Sequence, residues 1–123
     1  MTPYLLDTHI LIWALDNDPR LPRRYRTLIS ETEELYVSIA SLWEIAIKIS
    51  IGKLDFPETY LRDFEMMGFR TLGIAPVHID RVRILPLHHR DPFDRMLIAQ
   101  SISEALPIMT VDRRFAAYEA EIA

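Results

Sequence analysis

The sequence predicts a single α/β domain built on a short parallel sheet. Three observations point there. Short apolar runs alternate with segments of helical period along the whole chain. The length, 123 residues, suits one domain with one real core. Half of the residues are hydrophobic, with no repeat or low-complexity tract, which excludes a disordered chain.

Residues 3–6 (PYLL) read as a first strand ending at Asp7, and residues 10–15 as a helix closed before the polar Asp16-Asn17-Asp18-Pro19. Pro22 suits the first turn of a helix running to about Ser30. Residues 35–37 form a second strand, and a helix opens at Ser38 or Ile39, its apolar positions 39, 42, 43, 46, 47 and 50–51 close to the helical period. Gly52 stops it. Pro57 starts a mixed helix to about Met67, residues 69–74 form a third strand, and Pro76 opens a short helix to Leu85. Asp91 is a good N-cap with Pro92 as first helical residue, starting a helix to about Ala105. Residues 107–112 form the last strand, ending at Asp112, and the final RRFAAYEAEIA reads as helical. Trp13 and Trp43 are expected in the core or at a subunit interface. The Met96, Leu97, Ile98 and Ile102 stripe is expected to be core, and so are Met66 and Met67, with an exposed patch formed with Leu61 and Phe64 as the alternative.

The absence of cysteine excludes a disulfide framework and thiolate metal sites, and fits a reducing, cytoplasmic setting. Asp7 interrupts the apolar N-terminus, which lacks a basic leading region, so no signal peptide is expected. No apolar run reaches the ~18 residues of a membrane span, so a soluble protein is expected. The formal charge of −4 gives no polycationic coat, but the basic residues are nearly all arginine, with Lys48 and Lys53 the exceptions. Arginine favours bidentate contacts to phosphate and carboxylate.

Four carboxylates break apolar patterns. Asp7 and Asp112 follow strands, and in parallel sheets the carboxyl ends of strands line one edge, where ligands bind. Asp94 lies in the first turn of a helix that starts at that edge. Glu44 sits mid-helix among Trp43, Ile45, Ala46 and Ile47. Taken singly, each has an ordinary reading: Asp7 and Asp112 as turn residues, Glu44 paired with Lys48 one turn on, Asp91 and Asp94 complementing the helix dipole. For Asp91 that reading is the better one. The joint pattern points to a convergent pocket. Two carboxylates ~5 Å apart repel by about 3 kcal/mol at an effective dielectric of ~20, and a hard divalent cation removes that problem. All-oxygen ligands favour magnesium or manganese. The expected chemistry is attack of a metal-activated water on a phosphate. Arg90, Arg95, Arg113 and Arg114 flank Asp94 and Asp112 and are candidates for backbone-phosphate contacts. His88 and His89 have no partner visible in the sequence, and His9 is expected to pack against a neighbouring helix.

These residues resemble a family. LLDTHILIW is similar to the opening strand and first acid of PIN-domain ribonucleases, among them the VapC-type toxins of bacterial toxin–antitoxin pairs. SIASLWEIAIKISIGKL resembles the second block, with Glu44 as its acid. HRDPFDRMLIAQ, the most specific block, carries Asp94, and TVDRRF carries Asp112, with Thr110 as a hydroxyl near the site and Thr8 following the first acid. The resemblance spans nearly the whole chain. It implies a PIN-like three-layer α/β/α domain over residues 1–123, with four to five strands in its sheet. It implies an endoribonuclease dependent on Mg2+ or Mn2+, using Asp7, Glu44, Asp94 and Asp112 as catalytic and metal-binding acids and leaving a 5′-phosphate. It also implies an RNA substrate, a homodimer and a VapB-like antitoxin. Relatives often continue into a further short strand, which is expected to be short or absent after YEAEIA. The rival readings are a catalytically silent fold that binds antitoxin or RNA, an acid-rich receiver domain, and a structure-specific DNA nuclease. A receiver expects a second acid where Thr8 stands, and the nuclease expects a longer chain.

Overall fold

In the computed structural model, which describes residues 2–123, the segment after Thr2-Pro3 enters the middle of a sheet. Strands β1 (Tyr4–Leu6), β2 (Leu35–Ser38), β3 (Arg70–Leu72) and β4 (Ile108–Met109) pair in the order β3-β2-β1-β4, all parallel. Leu5 stands opposite Tyr36 and Ile108, and Leu6 opposite Val37 and Met109. Successive side chains of a strand face opposite ways, and both faces here are apolar. Leu6 packs with Ile10, Leu11, Tyr25, Ile45 and Phe64, whereas Leu5 packs with Leu97, Ile98, Ile108 and Phe115. The sheet is therefore covered on both sides, as a parallel sheet requires, and the three layers follow.

The covering helices are α1 (Thr8–Leu15), α2 (Arg23–Glu31), α3 (Ile39–Ser50), α4 (Tyr60–Met66), α5 (Pro76–Ile84) and α6 (Pro92–Glu104). The Ser38 side chain accepts from the Ala40 N–H and starts α3. Gly52, at φ +76°, lets the chain leave α3. Asp91 Oδ1 accepts from the Asp94 N–H at 2.9 Å, with Pro92 next, so the cap reading of Asp91 holds.

The structure shifts several expected boundaries. Helix α1 begins at Thr8, not at residue 10, because the Asp7 carbonyl already accepts the Leu11 N–H at 3.0 Å. Residues 57–59 form a turn, closed by Tyr60 N–H on the Pro57 carbonyl, ahead of α4. The C-terminal segment is not the expected helix. A 3-10 turn over Arg113–Ala117 is followed by a single parallel bridge between Ile108 and Ile122. Ile108 is fully buried. Its N–H donates to the Glu121 carbonyl at 2.8 Å and its carbonyl accepts from Ala123 at 2.9 Å. The open edge of β4 would otherwise bury two unpaired backbone groups, so the edge strand is present at its minimum length. The core expectation fails for Met66 and Met67, which are exposed with Leu61 as the patch alternative has them; Trp43, 60% exposed, lies outside the core, which leaves its interface reading, and stands edge-on to Phe93. Trp13 is half-buried against the core.

One buried tyrosine ties the C-terminal ends of this frame together. The Tyr25 hydroxyl accepts from the Thr110 N–H at 3.3 Å and lies 3.0 Å from the Thr110 carbonyl and 2.9 Å from that of Ala123. Tyr25→Phe should destabilise the protein by about 1–3 kcal/mol, because the buried Thr110 groups lose their partner. Urea unfolding measures this, and an unchanged midpoint would show the bonds to be replaced by water.

Candidate active site

The parallel arrangement sends the end of every strand, and the start of the helix that follows, to one edge. Asp7 is the first residue beyond β1 and is 1% exposed. Its Oδ2 accepts from Thr110 Oγ1 at 2.7 Å. The same Thr110 oxygen accepts the Asp112 N–H at 3.0 Å, so one hydroxyl joins the end of β1 to the end of β4. Thr8 Oγ1 donates to Ser41 Oγ at 2.9 Å and pins α1 to α3 one turn before Glu44. Glu44 is buried on the same helix face as Ser41. Its Oε2 lies 3.1 Å from Lys48 Nζ, so the ordinary i,i+4 reading is also realised. Asp94 occupies the first turn of α6. Asp112 is gripped by Arg114, whose Nε and Nη2 reach its two oxygens at 3.1 and 2.9 Å.

Together these residues form a cleft of about 410 Å³ whose walls carry Glu44, Asp94, Asp112, Lys48, Arg90 and Arg114. Asp7 lies behind that lining. The Asp94 carboxyl is pushed up to about 8, first by burial and then by the charges of Asp7, Asp91, Glu44 and Asp112. Asp7, Glu44 and Asp112 are therefore close enough to Asp94 for their charges to add to the effect of its burial. Burial also raises Asp7, against the Thr110 hydrogen bond and the nearby His9. At Asp112 burial pushes upward too, but the Arg114 hydrogen bonds outweigh it and the carboxyl lies below its ordinary value.

Thr8, Thr110 and Arg90 join the four acids at this edge, whereas Arg95 and Arg113 do not line the cleft. Arg95 donates to the carbonyls of Val82, Leu85, Pro86 and His89 and clamps the loop before α6. That leaves its guanidinium little freedom to meet a phosphate. His9 is exposed at the cleft wall beside Trp13, not packed under a helix. Sequence reasoning passed over His89, which is 2% exposed and places Nε2 2.7 Å from Asp94 Oδ2 and 3.3 Å from Asp112 Oδ2. Its position two residues before the α6 N-cap was the one available signal.

The donor set suits a hard cation. Asp7 Oδ1 and Glu44 Oε1 are buried and accept no hydrogen bond among the described residues. A buried carboxylate oxygen without a donor is costly, and a divalent ion among oxygen ligands satisfies it.

The raised carboxyls set a pH dependence. Folding favours the protonated form of Asp94, so its contribution to stability is full below the unfolded value near 3.8 and is lost as pH rises through about 8, and the raised Asp7 carboxyl acts in the same direction. The melting temperature of the metal-free protein should fall from pH 5 to pH 8.5, and Asp94→Asn should flatten the slope. Identical slopes in the two proteins would contradict the crowding.

Comparison with known proteins agrees with this geometry. The PIN domain family matches residues 4–121. Ribonuclease VapC22 of Mycobacterium tuberculosis is 29% identical over 117 residues, covering 93% of this chain and 90% of its own length. Among solved structures, a DNA-bound VapBC from Salmonella typhimurium superposes with a TM-score of 0.75 at 19% identity, over 99% of this chain and 96% of that one. A toxin–antitoxin complex from Klebsiella pneumoniae gives 0.68 at 18% identity, over 98% and 96%. With the family match covering almost the whole sequence and the fold shared, the chain belongs to the PIN domain family.

Proposed function

We propose that this chain is an endoribonuclease dependent on Mg2+ or Mn2+ and acts as the toxin of a toxin–antitoxin pair. The observation that carries the reading is the convergence of Asp7, Glu44, Asp94 and Asp112 from four separate segments, with Asp94 pushed up to about 8 by burial and then by its neighbours' charges. A bound ion of this kind offsets the carboxylate charge and activates water for attack on phosphorus. Asp7, Glu44, Asp94 and Asp112 hold it, with Thr110 fixing the orientation of the Asp7 carboxylate. Arg90, Lys48 and Arg114 on the cleft wall receive backbone phosphates, which gives affinity without sequence choice. RNA is favoured as substrate by the ribonuclease name of the Mycobacterium tuberculosis relative.

The antitoxin and the second copy of a homodimer are supported by surface. A groove of about 290 Å³ between α3, α5 and α6, lined by Trp43, Ile79, Val82, Phe93 and Met96, is almost wholly apolar. Exposed apolar grooves of this kind are what partner chains cover. Among the described residues, no helix is long and apolar enough to cross a membrane, in keeping with a cytoplasmic site of action.

Asp7→Asn keeps an oxygen to accept from Thr110 and removes only charge. It should reduce RNA cleavage in Mg2+ by more than the roughly 10–100-fold that outer changes cost at metal sites, and Asp94→Asn should do the same. Both variants should melt, without metal, at or above the unmodified temperature, while Mg2+ should stabilise them less than the unmodified protein. Unchanged cleavage in both pure variants would overturn the proposal.

A further inference from the structure

His89 is a buried side chain whose single nitrogen approaches the carboxylates of two of the four acids at once. The loop before α6 delivers it, and Phe115 meets its ring edge-on at 5.9 Å between centroids. Nε2 lies 2.7 Å from Oδ2 of Asp94 and 3.3 Å from Oδ2 of Asp112, in close electrostatic contact with both but aligned for a hydrogen bond to neither. One nitrogen, one oxygen of Asp94 and one of Asp112 fall within 4.8 Å of one another, a spacing that would equally suit a metal with His89 as third ligand.

The other ring nitrogen decides between these roles. Nδ1 accepts the Asp91 N–H at 3.3 Å, so the hydrogen of the neutral ring sits on Nε2. A histidine that ligates metal through Nε2 needs a lone pair there and normally donates from Nδ1 to an oxygen. Here Nδ1 faces a donor instead. We propose that His89 is a positioning residue and not a metal ligand: its Nε2 edge, in contact with the Asp94 and Asp112 carboxylates together, sets the acid of α6 against the acid beyond β4. Among the described residues, no other side chain bridges the two carboxylates; Thr110 ties Asp112 to Asp7, and Asp91 supports its own helix. His89 closes the set.

This inference rests on the metal-site reading above, and its test separates the two. In the full-length metal-free protein, long-range 1H–15N NMR of the His89 ring should show the Nε2–H tautomer, and the Nδ1–H tautomer would overturn the assignment without reference to any metal. With Mn2+ bound, electron spin-echo spectroscopy should show no directly coordinated ring nitrogen; a coupled nitrogen lost in His89→Leu makes His89 a ligand and sinks the proposal. Calorimetric titration with Mg2+ should show His89→Leu binding at least about tenfold more weakly, with His89→Gln, whose amide N–H can reach the Nε2 position, within about threefold of the unmodified protein. Equal affinity in all three proteins would overturn the positioning role, whereas no Mg2+ or Mn2+ binding by the unmodified protein would overturn the metal-site reading instead.

Discussion

Repulsion among carboxylates at the carboxyl edge of the sheet is the constraint around which the rest of this protein is arranged. A single buried acid can be tolerated by protonation or by one partner. Here Asp94 feels Asp7, Asp91, Glu44 and Asp112 together. Two ionised carboxylates ~5 Å apart would repel by about 3 kcal/mol at an effective dielectric of ~20, a large share of the stability a domain of this size possesses. Such a cluster persists only where a rigid frame imposes it, and functional sites are where proteins keep strain of this sort.

The frame has identifiable parts. Leu5 and Leu6 root β1 between two apolar layers, so Asp7 cannot retreat from the edge. Thr110 and Tyr25 bind the end of β4 to the end of β1 and to the C-terminus. Ser41 receives Thr8 and fixes α3, and with it Glu44. Arg95 fastens the loop that leads into α6. The protein's own cations relieve part of the repulsion: Lys48 sits on Glu44 and Arg114 on Asp112. Asp7 Oδ1 and Glu44 Oε1 accept no hydrogen bond among the described residues, and that difference supports the proposed ion site over a plain salt-bridge network.

Much of this was legible in the sequence because local patterns carry it. The period of residues 39–50 and its Gly52 stop gave α3, and the Asp91-Pro92 cap gave α6. The four acids stood out because each interrupts an apolar context near a strand end or on a buried helix face. The parts that were not legible depend on distance. His89 meets Asp112 across 23 positions of chain, and no local spacing encodes that contact. Arg95 looked like its neighbour Arg90, yet it is occupied by backbone carbonyls, which any sequence possesses. The final segment has helical composition, but the exposed edge of β4 demands backbone partners, and that demand overrides propensity. Met66 was assigned to the core, and Trp43 to the core or an interface, on hydrophobicity alone, which does not say which face of a helix has a neighbour.

On the proposed reading, burial and crowding keep a proton on Asp94 until a cation replaces it. Calorimetric titration of Mg2+ at pH 7, repeated in buffers of different ionisation enthalpy, measures the protons released on binding. With Asp94 pushed up to about 8, the account predicts release approaching one proton per site at pH 7 and falling toward zero well above pH 8. Metal binding with no proton release at either pH would show that the carboxylates are not crowded, and the account would fail.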